Sequence, residues 1–224
     1  MTTGIIVAAL YLITASKVVT KRIKVINRKK ALLLHKVSGI LLLLVAALHL
    51  LLSVKLLHQR PVSMYVFGII MFAAMITCTF SYFLRKRQKS RWLCIHRSAA
   101  ALILICFVCH VLLGITSLQD YKQNIEEIEL KEIPISEVAD GSYIGAYDAG
   151  YIYAKVQVDV SDGELQKITL LEHRTERGKL AEVILDKITG EQRVDVSDVS
   201  GATNSSKVIK AAVCNALQQG MENN

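Results

Sequence analysis

The sequence predicts a membrane-embedded all-α four-helix bundle followed by a small α+β domain, because hydropathy and charge both divide the chain in two. The mean hydropathy is +0.38 although 21% of the residues are charged, so apolar runs and polar residues must occupy different regions. All 19 acidic residues lie at Asp120 or later, whereas residues 1–119 hold 16 of the 27 basic residues. We predict a membrane domain over residues 1–118, a linker over 119–139 and a soluble domain over 140–224.

Four apolar runs make up the predicted membrane domain. Each approaches the ~20 residues that a membrane-spanning helix needs, the first being at the short limit. In the first run the basic residues follow the apolar core instead of preceding it, which favours a retained helix over a cleaved signal peptide. The runs are Gly4–Thr20, Ala31–Leu57, Val62–Leu84 and Trp92–Leu118.

Basic residues between the runs predict the orientation in the membrane. Segment 17–30 holds seven of them and segment 85–91 holds five, whereas the intervening turn has only Lys55 and Arg60. We therefore expect both segments to be cytoplasmic, and the N-terminus and everything after Leu118 to be extracytoplasmic in a multi-pass protein of the cell membrane. Because topology explains the net charge of +8, membrane lipid is an expected partner and nucleic acid is not.

Two pairs of histidines lie in the second and fourth runs with the same spacing, His35 with His49 and His96 with His110. Fourteen residues of helix rise about 21 Å and turn within ~40° of four full turns, so each pair shares one face. The two helices run in the same direction, which lets His35 meet His96 and His49 meet His110. Imidazoles paired in this way are typical of bis-histidine sites, so two b-type haems are predicted. The alternative is hydrogen bonding between packed helices, although polar side chains in lipid are costly and functional by default.

An internal repeat with an offset of 61 residues supports haem ligation. It superimposes the first pair of histidines on the second, and the spacing resembles that of diheme b-type membrane cytochromes, including the ferric-reductase-like group, over residues 31–118. Cys106, Cys109 and His110 also have the spacing of a covalent c-type haem site. Their place inside an apolar helix, and the lack of cysteine in the repeat partner Val45–His49, favour haem that is not covalently bound.

After a polar connector, the pattern changes to short strands and turns. The run Tyr151–Val160 alternates apolar and polar residues, Asp162-Gly163 predicts a tight turn, and Leu165–Leu171 predicts the returning strand. Apolar spacing predicts a helix over Lys179–Ile188 and a final helix over Lys207–Leu217. The result is an α+β domain of about 80 residues, close to the lower limit for a self-sufficient core.

The final helix is preceded by a loop that reads Asp198-Val-Ser-Gly-Ala-Thr203-Asn-Ser-Ser206. Its small residues, among them Gly201 and Ala202, allow a ligand to approach the backbone closely. Thr203 and the two serines stand at the N-terminus of the helix, where unpaired amide groups and the helix dipole favour a phosphate. The loop therefore predicts a phosphate-bearing ligand at Thr203, with an ordinary loop and N-cap as the alternative.

Residues 140–217 resemble the small FMN-binding domain found in subunits of the sodium-pumping NADH:quinone reductase and of Rnf-type complexes. The matching segments are Asp140–Gly145, Asp162-Gly163, Leu171–His173 and Asp195–Ser206. The resemblance implies that Thr203 carries FMN through a phosphoester bond, installed outside the cytoplasm by a flavin transferase. It implies a recognition sequence and cofactor-binding set that comprises Asp198, Ser200, Gly201, Ala202 and Ser206, with His173 and Thr175 in the segment that lines the isoalloxazine ring.

These features predict an oxidoreductase-type electron carrier. Its donor would be a quinol or a cytoplasmic flavoprotein, and electrons would pass through two haems to covalent FMN on the outer face and on to an extracellular acceptor. One alternative is a membrane-anchored flavoprotein without haem that serves as an electron-carrier subunit of a larger complex, and another is a sensory or scaffold protein without flavin. The chain has no glycine fingerprint for a nicotinamide cofactor, so direct oxidation of NADH is not expected.

Overall fold

The computed structural model describes residues 2–17, 27–57, 59–87 and 91–222. The chain divides into two compact units, residues 1–115 and residues 116–224. The predicted cytoplasmic segments 17–30 and 85–91 lie partly outside the described residues, because 18–26 and 88–90 are not among them.

The first unit consists of helices. They are α1 (Thr2–Ala15), α2 (Arg28–Ser53), α3 (Val62–Ser81) and the greater part of α4 (Arg91–Glu126). Single 3₁₀ turns, Val54–Leu56 and Phe83–Lys86, follow α2 and α3.

Three segments of this part of the chain are long and apolar enough to cross a membrane: Arg28–Ser53, Val62–Arg85 and Arg91–Glu126. They are compatible with the predicted membrane protein. Helix α1 has 14 residues, fewer than the ~20 that a spanning helix needs, and residues 18–20 of the predicted first run lie outside the described residues. A helical region with three spanning segments is therefore what the structure supports.

The apolar side chains of the first unit point both inward and outward. All four helices contribute to one inner cluster, which includes Leu42, Met71 and Ile103 and against which Val7 of α1 packs. Yet fewer than a fifth of the residues in each spanning segment are buried within the protein. At about 25 cal/mol for each Å² of apolar surface, such an exterior is favoured in lipid and unfavourable in water.

The second unit begins with the last three turns of α4, about 11 residues. The connector is part of its core, because Ile125, Ile135 and Val138 are buried there. The elements that follow are a 3₁₀ turn (Ile135–Glu137), β1 (Gly141–Asp148), β2 (Tyr153–Ser161), β3 (Glu164–Arg174), a 3₁₀ helix (Lys179–Val183), α5 (Ile184–Glu191) and α6 (Thr203–Glu222). The three strands form one antiparallel sheet in the order β1-β2-β3.

The predicted hairpin is present. In β2, buried Ala154, Val156 and Val158 alternate with less buried residues, as the period of two predicts. Asp162 and Gly163 have φ angles of 56° and 70°, the left-handed backbone that a two-residue type I′ turn requires.

The helices differ from the prediction at their ends. Residues Lys179–Val183 form a 3₁₀ helix and the α-helix starts only at Ile184, while α6 starts at Thr203, four residues before the predicted Lys207. Ser, Thr and Asn are common both in turns and at helix starts, so apolar spacing alone does not locate the first residue of the helix.

Helix α6 lies directly on the sheet. Val208, Ile209, Val213 and Leu217 are fully buried against it. At Gly145 of β1 there is no room for a side chain, because a Cβ atom there would be 2.1 Å from the Ala212 carbonyl oxygen. This contact between two backbones fixes the position of α6, and Thr203 is its first residue.

Candidate functional site

Thr203 is an exposed residue at the first position of α6. The chain enters through Gly201, whose φ of 78° is a conformation that glycine adopts without steric cost. The Ala202 amide donates to the Val199 carbonyl oxygen at 2.9 Å, which closes the turn. The first amide groups of a helix have no acceptor within it, so the start of α6 can bind an anion.

Buried serines hold this loop to the helix. Ser206 is completely buried, and its hydroxyl accepts a hydrogen bond from the Val199 amide at 3.0 Å. The hydroxyl therefore shapes the loop, and its direct contact with a cofactor stays a prediction. Ser200 and Gly201 are exposed and Ala202 is buried, so the outer rim of the loop is formed by the first two.

Lys210, which the sequence motifs did not single out, holds the acidic residues of the loop. It is only 4% exposed, and its Nζ lies 2.8 Å from Asp198 Oδ1 and 3.0 Å from the Val196 carbonyl oxygen. Asp195 Oδ1 is more distant, at 3.8 Å. The one signal in the sequence is a lysine on the apolar side of the final helix, which must find a partner if it is buried.

The end of β3 is fastened to the start of α6. Thr175 Oγ1 accepts from the Gly178 amide at 2.9 Å and lies 3.3 Å from Ser205 Oγ. Gly178 leaves the space that this contact needs, because a Cβ atom there would be 1.8 Å from Ser205 Oγ. Thr175 therefore contacts Ser205, which is two residues after Thr203 in α6.

His173 faces inward beside this contact. Its side chain is 2% exposed, and Nδ1 lies 3.0 Å from Glu182 Oε1. Its Nε2 is buried and has no hydrogen-bond partner within the residues that the structure describes. Only a group that entered the interior could bond to it, so a contact between His173 and the ring of a flavin stays a prediction.

An aromatic pair, also missed from the sequence, adjoins Thr203. The rings of Tyr121 and Tyr151 are stacked, with centroids 5.0 Å apart and planes 14° from parallel. Asn204, the residue after Thr203, donates from Nδ2 to Tyr121 Oη at 2.8 Å. Tyr121 belongs to α4 and Tyr151 to the loop between β1 and β2, so no local pattern could have linked them.

Three of the four histidines in the apolar helices lie with Nδ1 beside a backbone carbonyl oxygen. Nδ1 lies 2.9 Å from the Thr14 carbonyl oxygen in His35, 3.2 Å from that of Cys78 in His96, and 3.0 Å from that of Met64 in His110. A carbonyl oxygen can only accept, so Nδ1 carries the proton in these three and Nε2 presents its lone pair.

The predicted pairing of the histidines is partly visible. The rings of His35 and His96 are 6.0 Å apart, with planes 76° from parallel. Nδ1 of His49 lies 3.0 Å from Thr3 Oγ1, and both this contact and that of His110 join residues 46 positions apart, in keeping with the repeat. Gly4 adjoins the ring of His49, where a Cβ atom would be 3.3 Å from Cε1.

The cysteines do not add to a metal site. Cys106 is buried in the apolar cluster of the first unit, and Cys109 is partly buried. Throughout the described part of the chain, no group of three or more His, Cys, Asp or Glu side chains could hold a metal ion. A b-type haem needs only two protein ligands, because the porphyrin supplies the rest.

Part of the second unit matches a known protein family. Residues 149–218 match the family model of the FMN-binding domain. No curated protein and no solved structure matches the chain. The matched region contains β2, β3, α5, the loop before Thr203 and all but the last turn of α6, and it supports FMN binding and a flavin-based electron-carrier role.

Proposed function

We propose that this chain is a membrane-bound electron carrier, with FMN attached covalently to Thr203 and two b-type haems held by His35 with His96 and His49 with His110. The observation that carries the proposal is the family match over residues 149–218, within which Thr203 is exposed at the start of α6. Bound FMN and haem would supply the redox couples, and the chain supplies their position, ligands and surroundings.

The loop fits attachment of a phosphate to Thr203. The new bond joins Thr203 Oγ to the phosphorus of FMN, while the bond to the leaving nucleotide of an activated flavin donor, such as a flavin dinucleotide pyrophosphate, breaks. The hydroxyl proton passes to a base of the flavin transferase. The phosphodiester keeps one negative charge, which the helix N-terminus stabilises. Lys207, one helical turn after Thr203, lies on the same side of α6 and adds a positive charge.

The recognition residues have separate tasks in this proposal. Gly201 gives the turn its left-handed backbone, and exposed Ser200 offers its side chain to the transferase. Asp198 is held by Lys210, so that the turn is preformed before the transferase binds. A preformed loop lowers the conformational entropy lost on modification.

The hydrogen bonds of the four histidines are compatible with haem binding. Nδ1 of each bonds to a neighbouring helix, which orients the ring, as outer-shell partners of metal-bound histidines do. In His35, His96 and His110 the partner is a carbonyl oxygen, which leaves Nε2 for iron. The rings of His35 and His96, whose centres are 6.0 Å apart, would hold one haem between them, and the iron would supply the redox couple.

A membrane-anchored flavoprotein without haem is the second candidate. It is favoured by the same hydrogen bonds, since they join α2 to α1 and α4 to α3 and would stabilise helix packing without any iron. In either case the donor is a quinol or a cytoplasmic flavoprotein, or another subunit, and the acceptor is outside the cytoplasm.

The proposal is tested by a reduced-minus-oxidised absorbance spectrum of the full chain, purified after coexpression with a flavin transferase. We expect about two haems and one flavin per chain, with the flavin resistant to denaturation. Flavin without haem would establish the anchored flavoprotein, and haem without flavin would contradict the role of the outer unit.

Two variants assign the cofactors to residues. Thr203→Ala should remove all flavin that survives denaturation and leave both haems, whereas the control Thr189→Ala, in α5, should retain the flavin. His49→Ala should lower the haem content from about two to about one per chain, because a b-type haem without one axial ligand is bound weakly. Covalent flavin in Thr203→Ala, or full haem content in His49→Ala, would refute the respective assignment.

A further inference from the structure

We propose that Tyr121 and Tyr151 form the surface on which the isoalloxazine ring of the flavin stacks. The inference rests on the proposed attachment of FMN to Thr203 and assigns its ring system a binding surface. That surface includes a residue of α4, which lies outside the region matched by the family model.

The first support is the position of the pair. Tyr121 Oη is bonded to Asn204, and Asn204 directly follows Thr203. A flavin tethered to Thr203 by its phosphate and ribityl chain is therefore held close to the tyrosines at a high effective concentration. Under that condition even a weak surface is occupied.

The second support is the geometry of the rings. Tyr121 and Tyr151 stack at 5.0 Å with nearly parallel planes, and both side chains are partly exposed. Aromatic rings prefer such offset stacks, and one face of a stacked pair can extend the stack to a third planar ring. Isoalloxazine is planar, aromatic and electron-poor, so it is a better stacking partner for a phenol than a second phenol is.

The third support is that the surface is built before the flavin arrives. Tyr147 Oη donates to the Asn124 carbonyl oxygen at 3.3 Å, and Asn124 Nδ2 is 3.4 Å from the Ala149 carbonyl oxygen. Ile125 is buried in the core of the second unit. These contacts fix the end of α4 against the loop that carries Tyr151, so stacking requires little rearrangement.

Stacking has an optical consequence. A phenol in contact with an excited flavin donates an electron to it, and the electron returns to the phenol without net reaction, so emission is quenched. We expect the folded protein to have a short flavin fluorescence lifetime. Denatured protein, in which the tether alone remains, should fluoresce strongly.

The experiment uses the full chain, coexpressed with a flavin transferase, and two readouts. Fluorescence in a denaturing gel reports attachment, and the fluorescence lifetime of the folded protein reports stacking. Tyr121→Leu and Tyr151→Leu should each lengthen the lifetime several-fold while the gel band is unchanged. Tyr121→Trp, which restores an aromatic electron donor, should keep it short, and Tyr82→Leu, at an exposed tyrosine of the first unit, should match the wild type.

The experiment distinguishes failure of the attachment to Thr203 from failure of the stacking. A wild-type chain without a fluorescent band would overturn the attachment to Thr203 and, with it, the stacking. A normal band with wild-type lifetimes in both leucine variants would overturn the stacking alone. Because the band itself requires a correctly formed loop, its presence also shows that the variants are folded around Thr203.

Discussion

At the scale of single residues, the conformation of the loop before Thr203 depends on a buried lysine. Lys210 is buried under the loop, and its ammonium group is paired with Asp198 and bonded to the Val196 carbonyl oxygen. A buried charge persists only with such partners, and removing one partner leaves the other uncompensated. Lys210 is thus a positioning residue for the turn that presents Thr203.

We predict that Lys210→Met slows covalent flavinylation and lowers the free energy of unfolding by about 1–3 kcal/mol, since Asp198 keeps part of its exposure to water. The measurements are the rate of flavin incorporation at limiting transferase and chemical denaturation. Lys187→Met, at an exposed lysine of α5, is the matched control. Equal incorporation rates in both variants would show that the ion pair does not position the loop.

The turn before Thr203 can be predicted from the sequence because it depends on adjacent residues. The turn at Gly201 and the N-terminus of α6 lie within a few residues and follow from local backbone chemistry. Lys210 and Tyr121 could not be found in this way. Their contacts with Asp198 and Asn204 depend on how α6 and α4 pack, which no local pattern contains.

At the scale of elements, the segment between β3 and α5 packs closely against α6 at Gly178, where there is no room for a side chain. Gly178 adjoins Ser205 and Thr175, and a Cβ atom there would overlap Ser205 Oγ. The attachment determines how the end of β3 lies beside Thr203. A side chain at this position must displace either α6 or the segment itself.

We predict that Gly178→Ala destabilises the protein by about 1–3 kcal/mol, as overpacking of a closed contact does. Gly190 in α5 is the matched control, because a Cβ atom there meets nothing within 4 Å. Gly190→Ala should leave the protein unchanged or more stable by roughly 0.5–1 kcal/mol, since alanine favours a helix. Thermal unfolding of both variants in detergent distinguishes them, and a similar shift in both would contradict the role of the contact.

Elements with a strict repeat of apolar residues are the easiest to predict from the sequence. Strand β2 was predicted well because Ala154, Val156 and Val158 alternate strictly with half-exposed residues. The boundary between the 3₁₀ helix and α5 at Ile184 was not predictable, since both kinds of helix bury residues at similar spacing. Helix α1, with 14 residues, is shorter than a membrane span, so periodicity alone does not assign it to the membrane.

At the scale of the whole molecule, the apolar runs end at about the same residue at which the acidic residues begin. The residues up to 119 contain no acid, while the 105 residues from Asp120 onward hold 19 acidic and 11 basic ones, a net charge of −8. Basic loops are retained on the cytoplasmic side of a membrane and acidic domains are translocated with little penalty. The proposed topology therefore has the second unit on the outer side, where a flavin transferase would act on it.

We predict that a membrane-impermeant maleimide labels Lys187→Cys in intact cells, but labels Arg87→Cys only after permeabilisation. Both positions are exposed, so accessibility of the side chain does not differ between them. The five native cysteines are replaced by alanine first, although burial already raises the pKa of the Cys214 thiol to about 11 and keeps it in the unreactive form. Labelling of Arg87→Cys alone in intact cells would reverse the topology.

The contact between Gly145 and α6 restricts how this domain can be altered by mutation. Since the backbones of β1 and α6 meet there, a side chain at position 145 would force the two apart. In a library that samples every amino acid at each position of β1, position 145 should return only glycine, whereas exposed Ile144 and Ala146 should tolerate many residues. Variation near Thr203 is therefore expected in the loops and not at position 145, where β1 and α6 leave no room for a side chain.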